Sequence, residues 1–384
     1  MIDVFIQRYD RHLLIFLCIL SVLGTVMLYS ASWYESFSSS NGRTEMLFLQ
    51  NHLKRLLVGV FFLFGFLIFD YRKLKEIAPY LIMFSIFLLV MTKFYYLGKG
   101  YSWYKPARWL YIGPFSVQTS DIARFSVIVY MAFYADKKRD KLKDFQLGLL
   151  PALGILSITM ALIIIQPDYS TALMIGSIGV LILFIGGASI SQLSAAGAGA
   201  MLVGIPVLLS REYRKQRILS WFGIGDNTEI GYQANQSLIS LGNGGIFGVG
   251  LGNSIEKNHF LPTPHTDFIF AIIGEELGFV IGTVPVLTLF LLIFIRGLKI
   301  AKECTDPFGI FLSIGIAFNL VLYAFVNAAV VTGVFPVTGL PMPMVSYGGS
   351  GMVVNMAMMG ILLNISQSRR SVGGKKGWSP VLYG

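Results

Sequence analysis

Charge is scarce in this chain. Of its 384 residues only 13% are Asp, Glu, Lys or Arg, while 55% are hydrophobic. An ordinary soluble domain carries about 25% charged residues, and a chain this poor in charge cannot clothe a water-facing surface of its size. A soluble globular domain, a disordered chain and a fibrous repeat are therefore excluded. Cysteine is scarcer still. Cys18 and Cys304 are the only two, so neither a disulfide scaffold nor a Cys-based zinc cluster is available. His259 and His265 stand too far from other ligand-type residues to argue for zinc. No period of about 20–50 residues recurs, which excludes a repeat array.

What the chain has instead is long apolar runs. A helix needs about 20 apolar residues to cross a bilayer. Segments 13–33, 53–70, 77–97, 119–135, 147–166, 169–187, 192–209, 268–295, 307–331 and 345–366 read as such spans. They predict an all-α polytopic membrane protein with about ten transmembrane helices. Residues 1–368 form one transmembrane domain, with a large extracytoplasmic loop, 210–267, between helices 7 and 8. The polar tail 369–384 reads as disordered and cytoplasmic. Pro167 and Asp168 divide what is otherwise one long apolar run into two spans.

The formal charge of +10 invites a nucleic-acid reading until the charges are located. An even number of spans puts both termini on one side. If that side is the cytoplasm, the inner segments hold basic clusters such as Lys137-Lys138-Arg139 with Lys141 and Lys143, and outnumber the outer segments in Lys and Arg. The positive-inside rule favours this orientation, with both termini cytoplasmic. The charge is then a topology signal, and no nucleic-acid partner is implied.

Segment 210–267 is not a featureless connector. It opens with Arg211, Arg214, Lys215 and Arg217, passes through Tyr232-Gln233-Ala234-Asn235-Gln236-Ser237, and continues into a glycine-rich run from Gly242 to Gly252. It closes with Leu261-Pro262-Thr263-Pro264-His265-Thr266-Asp267 at the start of span eight. Basic residues, amides and a carboxylate converge there at the outer membrane surface, as a site for an anionic, headgroup-bearing ligand requires. The glycine run has no βαβ unit around it, so a nucleotide loop is a poor reading. Tightly turned backbone against the membrane is a better one.

Asp267 stands where the loop enters an apolar helix. Desolvation there favours a general base, and the competing reading is a helix N-cap. Glu275 and Glu276 follow in the same span, where carboxylates are expensive and face a cavity or a partner. On a continuous helix Glu275 lies about 80° from Asp267 and Glu276 about 180°. Glu275 is thus expected to share the Asp267 cavity, and Glu276 to pair with another helix. Arg108-Trp109, Gln118, Ser120, Asp121, Asp168 and Ser346 to Ser350 gather near the same surface. Arg124 is expected to pair with Asp121, three residues earlier.

Several of these strings, in this order, resemble the SEDS family of bacterial cell-wall polymerases (shape, elongation, division and sporulation). They are Tyr29-Ser30-Ala31-Ser32, Ala107-Arg108-Trp109, Gln118-Thr119-Ser120-Asp121 and Gln166-Pro167-Asp168. Beyond them come His265-Thr266-Asp267-Phe268, Glu275-Glu276-Leu277-Gly278, Pro336-Val337-Thr338-Gly339 and Ser346-Tyr347-Gly348-Gly349-Ser350. The run Gly248 to Ser254 looks more like the division-type member than the elongation-type member. The resemblance implies a membrane peptidoglycan glycosyltransferase that polymerises lipid II, with Asp267 as its catalytic residue. It also implies a class B penicillin-binding transpeptidase as partner, beside other division or elongation proteins. Transfer with inversion needs one base and positive charge at the departing pyrophosphate. Asp267 fits the base. Arg217, Arg108 and Lys257 are candidate pyrophosphate clamps. Gln233, Gln236 and Ser237 are candidates for hydrogen bonds to sugar or peptide, and His265, Glu275 and Ser346 complete the substrate-binding set. A divalent cation, magnesium or manganese, is compatible with this chemistry, although no ligand set in the sequence specifies one. The competing readings are an elongation-type polymerase, a lipid II flippase and a non-catalytic scaffold.

Overall fold

The computed structural model describes residues 9–101, 107–113, 115–210, 212–222, 224, 229–258 and 260–368. Arg211, His259 and the tail 369–384 lie outside the described residues.

Each of the ten apolar segments is helical. They form α1 (Arg11–Ser39), α2 (Leu47–Ile68), α3 (Arg72–Gly98), α4 (Thr119–Lys137), α5 (Leu150–Ile165, entered by a π-turn over Phe145–Leu149), α6 (Tyr169–Ile185) and α7 (Ile190–Leu209). Two helices not foreseen follow, α8 (Glu212–Trp221) and α9 (Glu229–Gly244). Then come α10 (Ile269–Gly278), a π-turn over Phe279–Thr283, α11 (Val284–Glu303), α12 (Pro307–Val331) and α13 (Ser350–Ser366). Among the described residues seven helical stretches are long and apolar enough to cross a membrane, counting Ile269–Glu303 as one, and α6 and α13 are shorter apolar helices. α4 differs in carrying Asp121 and Arg124, and is buried on most of its surface. Between α3 and α4 a short hairpin pairs β1 (Trp109–Ile112) with β2 (Phe115–Gln118), Trp109 opposite Gln118.

Local signals set the helix ends. The Asp10 carboxylate accepts from the Leu13 amide at 3.0 Å. Asp306 does the same for Gly309 at 3.2 Å, one residue before Pro307 opens α12. α2 and α13 pack most closely, because Gly360 lets backbone meet backbone. A Cβ on Gly360 would stand 2.3 Å from the Leu63 carbonyl oxygen, which is held in its own helix. Gly360→Val is therefore expected to destabilise the protein by about 1–3 kcal/mol, read as a lower thermal midpoint in detergent micelles.

The expected eighth span is broken. At Gly278 the backbone turns to φ +75°, and α10 ends. In an unbroken helix the Phe279 and Val280 amides would bond to the carbonyls of Glu275 and Glu276. Here they donate instead to the carbonyls of Gly245 (3.0 Å) and Ile246 (3.1 Å). The freed carbonyls of Glu275 and Glu276 accept from the amides of Val249 and Gly250, each at 3.0 Å. The glycine-rich run thus lies backbone to backbone against the helix break and leaves none of these four groups bare, which hydrocarbon does not tolerate.

Candidate active site

Two cavities meet beside Asp267. The smaller, of about 260 Å³, is lined by Thr266 and Asp267 before α10, by Asp121 and Arg124 on α4, by Asp168, and by the turn from Gly339 to Met344. The larger, of about 1100 Å³, runs along α5, α6, α7 and α8. Ile164, Ile165, Leu173, Val207, Leu208 and Ile218 form its apolar wall, and Arg214 and Arg217 its basic edge. Arg108, Trp109, Asp168 and Gly339 border both.

Three carboxylates face the small cavity, and two are already engaged. Asp121 lies 3.2 Å from Arg124 and accepts from the Ser350 hydroxyl at 2.7 Å. Asp168 accepts from the Gln118 amide at 3.2 Å and sits 3.7 Å from the Arg108 guanidinium. Asp267 is half-buried and accepts from the hydroxyls of Thr266 (2.7 Å) and Thr263 (3.4 Å). Among the described residues no basic side chain comes within 4.0 Å of it. Nor is it a helix cap: α10 begins at Ile269, and its cap position, Phe268, carries no side-chain bond.

The basic residues divide. Arg108 donates to the carbonyls of Pro167 and Gln166 and stays one-third exposed between the two cavities. Arg217 is half-buried on the larger cavity, and Arg214 stacks on Tyr169 with 3.7 Å to the ring centroid. Lys257, expected beside them, lines neither cavity. Its ammonium donates to Glu276 (2.6 Å), to Ser30 on α1 (3.1 Å) and to the Gly252 carbonyl (2.8 Å), and so has no donor left for a phosphate. Arg124 does pair with Asp121, and it also donates to Asn355 at 3.1 Å and lies over the Tyr323 ring.

Glu275 is the second correction. It is fully buried away from both cavities and accepts from Ser240 (2.9 Å), Ser254 (2.6 Å) and the Ile255 amide (2.9 Å). The helical angle expected between it and Asp267 fails because Asp267 precedes the helix. Glu276 pairs across to Ser30, on another helix, at 2.7 Å. Gln233, Gln236 and Ser237 lie on α9, outside both cavities. Ser237 donates to the carbonyls of Ala234 and Val331, and Gln236 to the Tyr232 hydroxyl. His265 is buried between Phe48 and Tyr347, its Nδ1 3.0 Å from Glu35. Ser346 does line the small cavity, but its hydroxyl accepts from the Met342 amide at 2.8 Å and so shapes the turn. Two residues not singled out from sequence, Tyr323 and Asn355, line the cavity beside Arg124. Their signal was present: polar side chains inside otherwise apolar spans.

Glu256, beside Glu275, is buried, and burial raises its carboxyl pKa, with the Glu275 charge adding to the effect. The folded pKa exceeds the unfolded one, so its contribution favours folding below the ordinary glutamate range and is lost as pH rises through the folded value. Glu256→Gln is accordingly expected to raise the thermal midpoint at pH 7–8, with the gain vanishing near pH 4. Melting curves of both proteins across that range provide the check.

The fold and the site define a polytopic helical membrane protein with a polar, carboxylate-bearing cavity opening onto an apolar groove. The family model FtsW/RodA/SpoVE, described as cell cycle protein, matches residues 10–371, and the chain belongs to this family. It is 37% identical over 368 residues to the probable peptidoglycan glycosyltransferase FtsW of Geobacter sulfurreducens, covering 94% of this chain and 96% of that one. It is 34% identical to the stage V sporulation protein E of Bacillus subtilis, covering 94% and 98%. Among solved structures, a chain of a peptidoglycan synthase complex superposes with TM-score 0.74 at 24% identity, covering 95% and 99%. The rod shape determining protein RodA of Thermus thermophilus superposes with TM-score 0.66 at 25% identity, covering 94% and 98%.

Proposed function

We propose that this chain is a peptidoglycan glycosyltransferase of the division type, polymerising lipid II into glycan strands at the outer face of a bacterial inner membrane. The carrying observation is Asp267, among the described residues the one carboxylate of the small cavity with no cation within 4.0 Å, in a cavity that shares Arg108, Asp168 and Gly339 with a groove that has an apolar wall and a basic edge. A lipid-linked saccharide has matching parts. Its sugar meets the cavity, its pyrophosphate meets Arg108 and Arg217, and its isoprenoid chain lies along the groove. Asp267 takes the proton of the acceptor hydroxyl as that oxygen attacks the anomeric carbon of the donor. The pyrophosphate departs with its bonding electrons toward the two arginines. Family membership and the FtsW-named relative support the assignment. The charge asymmetry of the sequence supports cytoplasmic termini and an outward-facing site.

Among the described residues no three His, Cys, Asp or Glu side chains gather as metal ligands. A divalent ion here would be held chiefly by the pyrophosphate with one or two carboxylates, and no step is assigned to one. A class B penicillin-binding transpeptidase is the proposed partner, supported by the structural neighbour's place in a complex of polymerization and crosslinking.

The test is purified protein in lipid vesicles with labelled lipid II, alone and with the transpeptidase. Glycan ladders are the expected product. No glycan with the partner present, together with movement of lipid II across the vesicle wall, would replace this reading with a transporter.

A further inference from the structure

Asn327 is a polar residue about one turn from the end of α12, a mostly apolar helix, and it is 1% exposed. Its amide nitrogen has two hydrogens, and both are spent on main-chain carbonyls. One goes to Asp267 at 2.7 Å and the other to Leu340 at 2.8 Å. Those carbonyls belong to two different segments that line the small cavity. Asp267 ends the segment that enters α10, and Leu340 lies in the turn that leads toward α13. One side chain from a third element therefore ties the two segments together. The Asp267 segment is also held by the Tyr347 amide on the His265 carbonyl at 2.8 Å and by the buried Phe268 side chain, but Asn327 is the side chain that holds the Asp267 main chain itself. Asp267 precedes the first residue of α10, it caps nothing, and its own carboxylate touches only hydroxyls of its own segment.

We infer that Asn327 is a positioning residue for Asp267, fixing the distance between that carboxylate and the Gly339–Met344 wall against which the reacting sugar would lie. The inference rests on the proposed role of Asp267 as base. Chemistry separates the possible replacements. Leucine has nearly the shape of asparagine but donates nothing. Aspartate keeps the shape and turns two attractive contacts into repulsion between a carboxylate and two carbonyl oxygens. Both changes release the main chain at Asp267 without touching the groove or its arginines.

The experiment compares Asn327→Leu, Asn327→Asp, Asp267→Asn and the double variant Asn327→Leu/Asp267→Asn in the vesicle assay, with rates taken per folded molecule. A displacement of about 1 Å at a reacting group costs on the order of 100-fold. Asn327→Leu is expected to lower kcat roughly 10- to 100-fold while KM for lipid II stays within about twofold. Asn327→Asp is expected to be worse. Because Asn327 acts only through Asp267, adding Asn327→Leu to Asp267→Asn should change the residual rate little. A merely structural role would lower the melting temperature and leave kcat per folded molecule unchanged, and that result overturns the proposal. Additive losses in the double variant overturn it as well. Full activity of Asp267→Asn would instead bring down the base assignment itself, whatever Asn327→Leu does.

Discussion

Asp267→Asn is expected to lower glycan synthesis by the purified protein roughly 10²- to 10⁴-fold, while the protein melts close to the wild-type temperature. The two expectations come from the same geometry. Asparagine keeps an oxygen to accept from Thr266 and Thr263, the two side-chain contacts of the carboxylate, so local structure has no reason to change. What is lost is the ability to take a proton. A capping aspartate would behave in the opposite way, costing about 0.5–2 kcal/mol of stability and little activity when replaced. Asp267 caps no helix here, so that outcome is not expected. Asp267→Glu retains a base but carries it one methylene further, and should recover only part of the rate. Lipid II polymerisation followed as a product ladder, beside a melting curve, measures both arms. A wild-type rate for Asp267→Asn sinks the assignment.

Glu276→Gln is expected to cost about 3–5 kcal/mol of stability, among the largest effects of any single change in the protein. Glu276 and Lys257 are 2.6 Å apart with side chains 0% and 1% exposed. Removing the carboxylate charge leaves a buried ammonium with neutral acceptors only, the new amide oxygen, the Ser30 hydroxyl and the Gly252 carbonyl. Lys257→Met should cost a similar amount through the stranded carboxylate. The double variant Lys257→Met/Glu276→Gln should recover much of the loss, because a neutral pair has no charge to desolvate. Unfolding in detergent with all four members of the cycle gives the coupling directly. The same variants separate two roles for Lys257. If it clamped pyrophosphate, the double variant would be stable and inactive. As a structural ion pair, it leaves a double variant that is stable and active.

The apolar runs are legible in the sequence because a bilayer demands them, and each folded as helix, the eighth as two helices broken at Gly278. Shorter features lacked such a signal. α8 and α9 carry no continuous apolar stretch, and the Trp109–Gln118 hairpin is too brief for an alternating pattern to stand out. The break at Gly278 was invisible because a glycine in an apolar run is common and costs little. Asp267 could be singled out, since a carboxylate at the mouth of an apolar span stands apart in a chain with so little charge. Its neighbours were harder. Lys257 looks like any loop lysine until folding brings Glu276 against it. Glu275 was placed by a helical angle measured from a residue that is not in the helix. Asn327 meets Asp267 from 60 positions away, and a linear sequence carries no sign of which carbonyls an amide will find.

The exchange of hydrogen bonds around Gly278 bears on how the chain is made. The stretch from Gly245 to Gly250 leaves the ribosome before the helix it completes, and α10 and α11 cannot lie in hydrocarbon with four main-chain groups bare. Neither piece is a finished membrane element when it is synthesised. Insertion of Ile269–Glu303 must therefore wait for the earlier stretch to dock, or proceed with water kept at the gap until it does. Once joined, the two share one fate: the amides of Val249, Gly250, Phe279 and Val280 should exchange with deuterium as a single group, opening together or not at all.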